Sequence, residues 1–387
     1  MTTKTTKLLT LMALASCASA FSPLHATEMT QLQLTQLTEQ TQYENVSAIK
    51  RTLAQKIAAN YTMIAPALKQ QLSQYNLVFN PQALHSLSAN IPLELSQANQ
   101  ALHHLKGLPS QTGDLLQLRL AHSDMLVEWQ QGQAPLFAFA PQGNDKHWTH
   151  IEAFDQFGQI HTLDVNELPT QPTFIIELDQ HKTQQAGLAV MKNIFAANHS
   201  QTEQLQMTPQ GDAEPLSTSV LNKIRLNNDQ EPWISGKAEV YGIVTGIDPS
   251  RDQPVLDVID LPYLDYDGTD YHPNQVIIHW QRYRWQAVDL LLMEQDDNTN
   301  YKTLASKLLD IAVQIMRTIP DPQVQGYAII PQLTNELLKA MPDGWFTNDD
   351  DYVDVFYTLF EGRQYQGHRG ASSNATITLT PLMINPR

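Results

Sequence analysis

The hydrophobic period of this chain changes from helical to alternating near Asp114, and that change does most to decide its fold class. From Glu44 to about Lys106 the apolar residues fall three and four apart, with Val46, Ile49, Leu53 and Ile57 defining one buried helix face. Ala65 to Tyr75 and Leu93 to Leu105 continue the helical pattern, punctuated by Asn80-Pro81 and Pro92. From Asp114 the period is two. LLQLRLA, MLVEW, PLFAFAP, WTHIEAF, IHTLDV and TFIIELD are short alternating runs separated by Gly, Pro and Asn. A small antiparallel sheet with helices on one side accounts for both patterns, and GLAVMKNIFAA (Gly187 to Ala197) reads as a strand running into a short helix.

A polar stretch with Pro209, Gly211 and Pro215, residues 199–219, marks a linker. Beyond it lie seven β-rich runs: VLNKIRL, AEVYGIVTGI, PVLDVI, QVIIHW, WQAVDLLLME, DVFYTLFEG and ATITLTPLMI. Their number and turn spacing favour an antiparallel β-sandwich. Two helical segments, Tyr301 to Met316 and Gln332 to Met341, are inserted between the fifth and sixth runs, and Pro331 suits a helix start. The expected class is α+β: an α+β domain over 44–198, then a β-sandwich with a helical insertion over 220–387.

The start of the chain reads as an export signal. Lys4 and Lys7 precede an apolar run, Leu8 to Ala15, which is too short to span a bilayer. Two maturation routes stay open. LASC (Leu14 to Cys17) fits a lipoprotein signal that would lipidate Cys17 and tether the protein to a membrane, whereas cleavage after Ala20 or Ala26 would discard that cysteine. Residues 1–26 are read as the signal and the Gln/Thr-rich residues 27–43 as a flexible tether. The expected destination is the periplasm, the outer membrane as a lipoprotein, or the secreted fraction. Cys17 is the single cysteine of 387 residues, so no intramolecular disulfide can form and stability must come from an apolar core, for which 42% hydrophobic residues suffice.

The charge is −16, with 40 acids against 24 bases. Such a surface repels phosphate backbones, so nucleic acid is not an expected partner. Acids bunch where the sandwich strands should end: Asp229 and Glu231; Asp265, Asp267 and Asp270; Glu294, Asp296 and Asp297; Asp349, Asp350, Asp351 and Asp354. Two carboxylates about 4 Å apart repel by about 1 kcal/mol in water and about 4 kcal/mol at a surface-like dielectric. If the loops converge, protonation or a cation must relieve them; if they do not, they are ordinary solvated turns, for which Asp and Asn are favoured anyway. Oxygen-rich loops without cysteine suit Ca2+ and not structural zinc. The predicted ligands are Asp265, Asp267, Glu294, Asp296 and Asp350, then Asp229 and Glu231. Asp296-x-Asn298-x-Asn300 matches the opening of an EF-hand loop, but Tyr301 and Lys307 stand where its glycine and bidentate glutamate belong.

A sandwich with Asp-rich end loops resembles calcium-dependent C2 domains over roughly Val220 to Asp354. That resemblance implies an ion that pins the loops and bridges to an anionic surface or a glycan. Through KAEVYGIVTGIDPSRDQPVLDVIDLPYLDYDGTDY and LLMEQDDNTNYKTLASKLLDIA the chain also resembles an uncharacterised family of exported Gram-negative bacterial proteins, a domain of unknown function, which implies no activity.

The remaining motifs are weighed against plain packing. In HWQRYRW, Trp280, Arg282 and Arg284 would share one strand face and His279, Gln281, Tyr283 and Trp285 the other, as a sugar- or peptide-binding surface or, more simply, as Arg stacking and core. His103 and His104 near a helix end suit the helix dipole better than a metal. There is no Gly-x-Ser-x-Gly, His-Glu-x-x-His, phosphate-binding or dinucleotide-binding signature. Binding is therefore the first expectation, and a metal-assisted hydrolase using the acidic cluster the alternative.

Overall fold

The helices at the start of the fold form where the three-four pattern puts them. In the computed structural model, which describes residues 45–80, 91–143, 147–197, 214–228, 232–236, 239–250, 252–295, 297–319, 325–340 and 352–385, helix α1 spans Val46–Ala59. The Asn45 side chain caps it by accepting from the Ala48 N–H at 2.8 Å. Val46, Ile49, Leu53 and Ile57 are buried as expected. Helix α2 follows at Tyr61–Gln71 and α3 at Ile91–Lys106. Gly107, at φ +65°, ends α3, and the Leu108 N–H returns to the His103 carbonyl at 2.8 Å.

These helices cover one face of a six-stranded sheet, ordered β1-β2-β6-β3-β4-β5. Its strands are β1 Val78–Phe79, β2 Leu116–Leu120, β3 Leu136–Ala138, β4 His150–Phe154, β5 Ile160–Asp164 and β6 Thr173–Leu178. All neighbours are antiparallel except β3 and β6, because β6 inserts between β2 and β3 after the β4–β5 hairpin.

Two segments differ from the sequence reading. MLVEW lies in a short helix, α4 (Met125–Gln130), that buries Met125, Leu126 and Trp129. Over five residues, alternation and a helical face cannot be told apart. GLAVMKNIFAA is helical throughout, as part of α5 (Gln180–Ala197), with Gly187, Leu188, Met191 and Phe195 on its buried face.

The C-terminal half holds two four-stranded sheets, β10-β7-β14-β13 and β12-β11-β8-β9. The strands are β7 Leu216–Leu226, β8 Val240–Ile247, β9 Pro254–Asp260, β10 Gln275–His279, β11 Ala287–Glu294, β12 Tyr352–Phe360, β13 Tyr365–Arg369 and β14 Ala375–Ile384. Strand β13 carries no alternating apolar signal (YQGHR), so its pattern alone does not announce it. The sheets enclose a core that includes Leu221, Ile224, Val244, Leu290, Phe356 and Ile377.

Helices α6 (Tyr301–Thr318) and α7 (Ile329–Ala340) are inserted between β11 and β12, and α7 packs on β8, β11 and β12. Strand β11 is therefore buried on both faces. Val288, Leu290 and Leu292 enter the sandwich core, while Ala287, Leu291 and Met293 belong to a second core on the helical side. This is why Leu290 to Met293 read as a continuous apolar run. That second core is shared by residues from 44–198 and 220–387, among them Leu53, Phe137, Leu188, Ile243, Leu291 and Leu308. Residues Tyr43 to Arg387 form one compact unit. No helix among the described residues is long and apolar enough to cross a membrane.

Candidate functional site

Strand register brings residues that border the acidic segments to one end of the sandwich. Glu294, at the end of β11, pairs with Val240 at the start of β8. Met293 pairs with Tyr352 at the start of β12. Leu226, at the end of β7, pairs with Ala375 at the start of β14, and its carbonyl accepts from the Gly268 N–H at 2.8 Å. The Gln295 N–H donates to the Glu239 carbonyl at 2.9 Å, and the Asn227 N–H to the Asn374 carbonyl at 2.7 Å. The stretches that flank 229–231, 296 and 341–351 thus share one end with the Asp265–Asp270 turn. Of the predicted ligands, Asp265, Asp267 and Glu294 lie among the described residues; Asp229, Glu231, Asp296 and Asp350 lie outside them, as does Cys17.

Several acids at this end are already matched by the fold. Asp354 is fully buried, and its carboxylate accepts backbone N–H groups from Val355 and Ser372 at 2.8 Å and from Ala375 at 2.7 Å. Asp270 pairs with Lys223 at 2.7 Å and Arg225 at 3.5 Å, and the Lys223 hydrogen bond foremost holds its carboxyl below the usual range. Three or more His, Cys, Asp or Glu side chains arranged to hold a metal do not occur among the described residues. A calcium ion at this end would therefore have to draw on Asp229, Glu231, Asp296 or Asp350 as well.

Asp297 and Asn300, in the EQDDNTN segment, have a structural role that sequence reasoning missed. Asp297 pairs with Lys50 of α1, whose side chain is 2% exposed. Lys106, fully buried at the end of α3, donates to the Asp297 carbonyl at 3.0 Å and lies over the Tyr301 ring at 5.3 Å. Burial alone would push the Asp297 carboxyl up, but the Lys50 and Lys106 ammonium groups outweigh it and hold it low. Asn300 works at two helix ends. Its side-chain oxygen caps α6 by accepting from the Thr303 N–H at 3.0 Å, and its amide nitrogen donates to the Leu105 carbonyl of α3 at 2.8 Å. The loop is thus a joint between the sandwich and the N-terminal helices.

The HWQRYRW segment does not present the expected strand faces. Residues 280–282 and 284–286 form two tight turns, with Trp285 at φ 59° and Gln286 at φ 47°. Trp280 is buried, with its Nε1 donating to Ser219 Oγ at 3.1 Å. Arg282 grips Asp257 through two bonds of 2.7 Å, and the Tyr283 hydroxyl donates to the same carboxylate. Trp233 donates to the Asp164 carbonyl at 3.1 Å, and Ile234 beside it is buried in a core on the far face of the six-stranded sheet. Most of the aromatic and Arg groups at 280–285 and 233 hold the fold together. His103 is likewise buried, with Nδ1 at 2.7 Å from the Asn99 carbonyl.

One further group stands out at the opposite end of β11. Asp289 is fully buried on the helix-facing side, opposite Thr245 of β8. Strand β12 bulges there, so Tyr357 and Thr358 together face this one residue. Thr358 adopts φ 55°, which is rare for a β-branched residue, and its N–H donates to Asp289 Oδ1 at 2.7 Å. Asp289 Oδ2 has no hydrogen-bond partner among the described residues. Burial pushes the carboxyl up to about 6, against the pull of the Thr358 N–H and the nearby Thr334 hydroxyl. The sequence did carry a signal for it, a lone acid inside VDLLL.

No curated protein and no solved structure matches this chain. The family model described as "Protein of unknown function (DUF3103)" matches residues 50–387, and the chain belongs to that family.

Proposed function

We propose that this is an exported cell-envelope protein that acts by binding, not catalysis, and whose sandwich is stabilised by a calcium ion at the end carrying the acidic loops. The observation that supports the reading is the strand register, which brings Leu226, Val240, Glu294 and Tyr352, residues close to 229–231, 296 and 351, to the end that carries the Asp265–Asp270 turn. Asp265, Asp267 and Glu294 would contribute from the described turns and Asp229, Glu231, Asp296 and Asp350 from the segments beside them, in the oxygen-only chemistry Ca2+ takes. The likeness to calcium-dependent C2 sandwiches supports a bridge from the ion to an anionic surface or glycan. Lys4, Lys7 and the apolar run from Leu8 to Ala15 support export, with Cys17 as the tether where it is lipidated.

Metal analysis of natively purified protein, followed by thermal unfolding in calcium and in EDTA, tests this reading. Bound calcium and a midpoint raised by several degrees, reversed by EDTA and lost on joint Asp265→Asn and Asp267→Asn substitution, are expected. Metal-free protein whose midpoint ignores millimolar calcium overturns it. Intact mass of the mature protein reads the lipidation of Cys17 directly.

A further inference from the structure

The cluster around Asp289 lacks one hydrogen. Thr334, fully buried on α7, donates its single hydroxyl hydrogen to the Ile330 carbonyl at 3.1 Å. Thr245 Oγ1 lies 2.7 Å from Thr334 Oγ1, so Thr245 supplies the hydrogen of that bond. With both hydroxyls also engaged elsewhere, the carboxylate's one hydrogen bond among the described residues is the Thr358 N–H on Oδ1, and the Thr334 hydroxyl offsets its burial only in part. Among the described residues Asp289 Oδ2 has no hydrogen-bond partner, and the residue is fully buried. A proton on Oδ2 removes the buried charge, which a single N–H hydrogen bond does not offset.

We propose that Asp289 is a buried proton-binding site whose occupancy sets how tightly helix α7 is held on the sandwich. Thr334 is the α7 residue that meets Thr245 across the helix–sheet contact, so the network joins helix to sheet directly. The left-handed Thr358 marks the place as one where the backbone is held in a costly shape by its surroundings. Other ionisable groups on the surrounding elements are Tyr241 on β8, Glu294 on β11, Tyr352, Asp354 and Tyr357 on β12, Glu336 and Lys339 on α7, and Tyr327 before it. Glu336 and Lys339 pair with each other at 2.6 Å, Asp354 is held by three backbone N–H groups, and burial pushes the Tyr352 and Tyr357 hydroxyls up. Asp289 is therefore the group expected to titrate in mildly acidic solution within this contact.

Amide exchange of the intact protein, corrected for intrinsic rates, tests the proposal. Opening of Ile329–Ala340 should increase about tenfold between about pH 5 and about pH 7.5, as a carboxyl released to its ordinary value loses its proton. Amides of α7 should open at lower free energy than those of β2 and β6, and Asp289→Asn should abolish the rise in α7. An equal rise in Asp289→Asn overturns the proposal. Should the variant not fold, the side-chain carboxyl 13C shift of Asp289 in the unaltered protein decides: a midpoint near pH 6 supports the site, and one at or below pH 4 overturns it.

Discussion

Two aspartates, Asp297 partly exposed and Asp289 fully buried, pull stability in opposite directions with pH. The Asp297 carboxyl is held low by Lys50 and Lys106, so its contribution is present above the ordinary carboxylate value and is lost as pH falls through its own lower value. The Asp289 carboxyl is pushed up from 3.8 to about 6, so the folded state holds the extra proton in that window and stability falls as pH rises through it. Each pH unit of that window costs about 1.4 kcal/mol, up to about 3 kcal/mol at neutral pH. Asp289→Asn is therefore expected to stabilise the protein near pH 7.5 and to flatten its dependence on pH in denaturant titrations. Asp297→Asn leaves the buried Lys50 ammonium without its carboxylate and should cost roughly 3 kcal/mol at neutral pH. The sequence shows the acidic loop but not this outcome. Lys50 lies 247 residues away from Asp297, and a pairing at that distance leaves no local trace.

At the scale of elements, the helix and sheet periods were legible wherever a segment was long and buried on one face. Helix α1 and most sandwich strands follow their patterns, and the inserted helices fall between the predicted fifth and sixth runs. Short or strained segments were not legible. MLVEW satisfied both periods, and HWQRYRW ends on a left-handed Trp285, followed by a left-handed Gln286, which no hydrophobic pattern encodes. The candidate site was half legible: acid-rich loops could be seen, but not which acids the fold already answers. Close contacts between elements are equally invisible to pattern. Helix α5 meets the start of α6 at Gly187, where an added Cβ would lie 2.3 Å from the Tyr301 ring. Tyr301 cannot simply turn away, because its hydroxyl donates to Gln295 and Lys106 lies over its ring. Gly187→Ala should thus separate two packed helices at a cost of about 1–3 kcal/mol, despite the better helix propensity of alanine. Chemical unfolding measures it, and a neutral or stabilising result would show that the contact is slack.

The whole molecule is held together by a core that ignores the polar stretch between its halves. Leu53 and Phe137 from the first half and Ile243, Leu291 and Leu308 from the second lie in one apolar cluster, and the Lys50–Asp297 joint ties α1 to the sandwich loop. Strand β11 has one face in each core, so neither half can lose its packing without exposing the other's apolar side chains. The boundary drawn at 199–219 then separates segments of chain that should not melt independently. Trp129, buried beside Phe174 in the first half, and Trp280, buried against Ser219 in the second, provide local probes when the other tryptophans are replaced by phenylalanine. Their fluorescence transitions in urea should coincide, with one midpoint and one slope. If calcium binds as proposed, it should move both midpoints by the same amount, since one cooperative unit shares its ligand's free energy. Two separated transitions, or a calcium shift felt by Trp280 alone, would mean that the common core is too weak to couple the halves and that the polar stretch is a true domain linker.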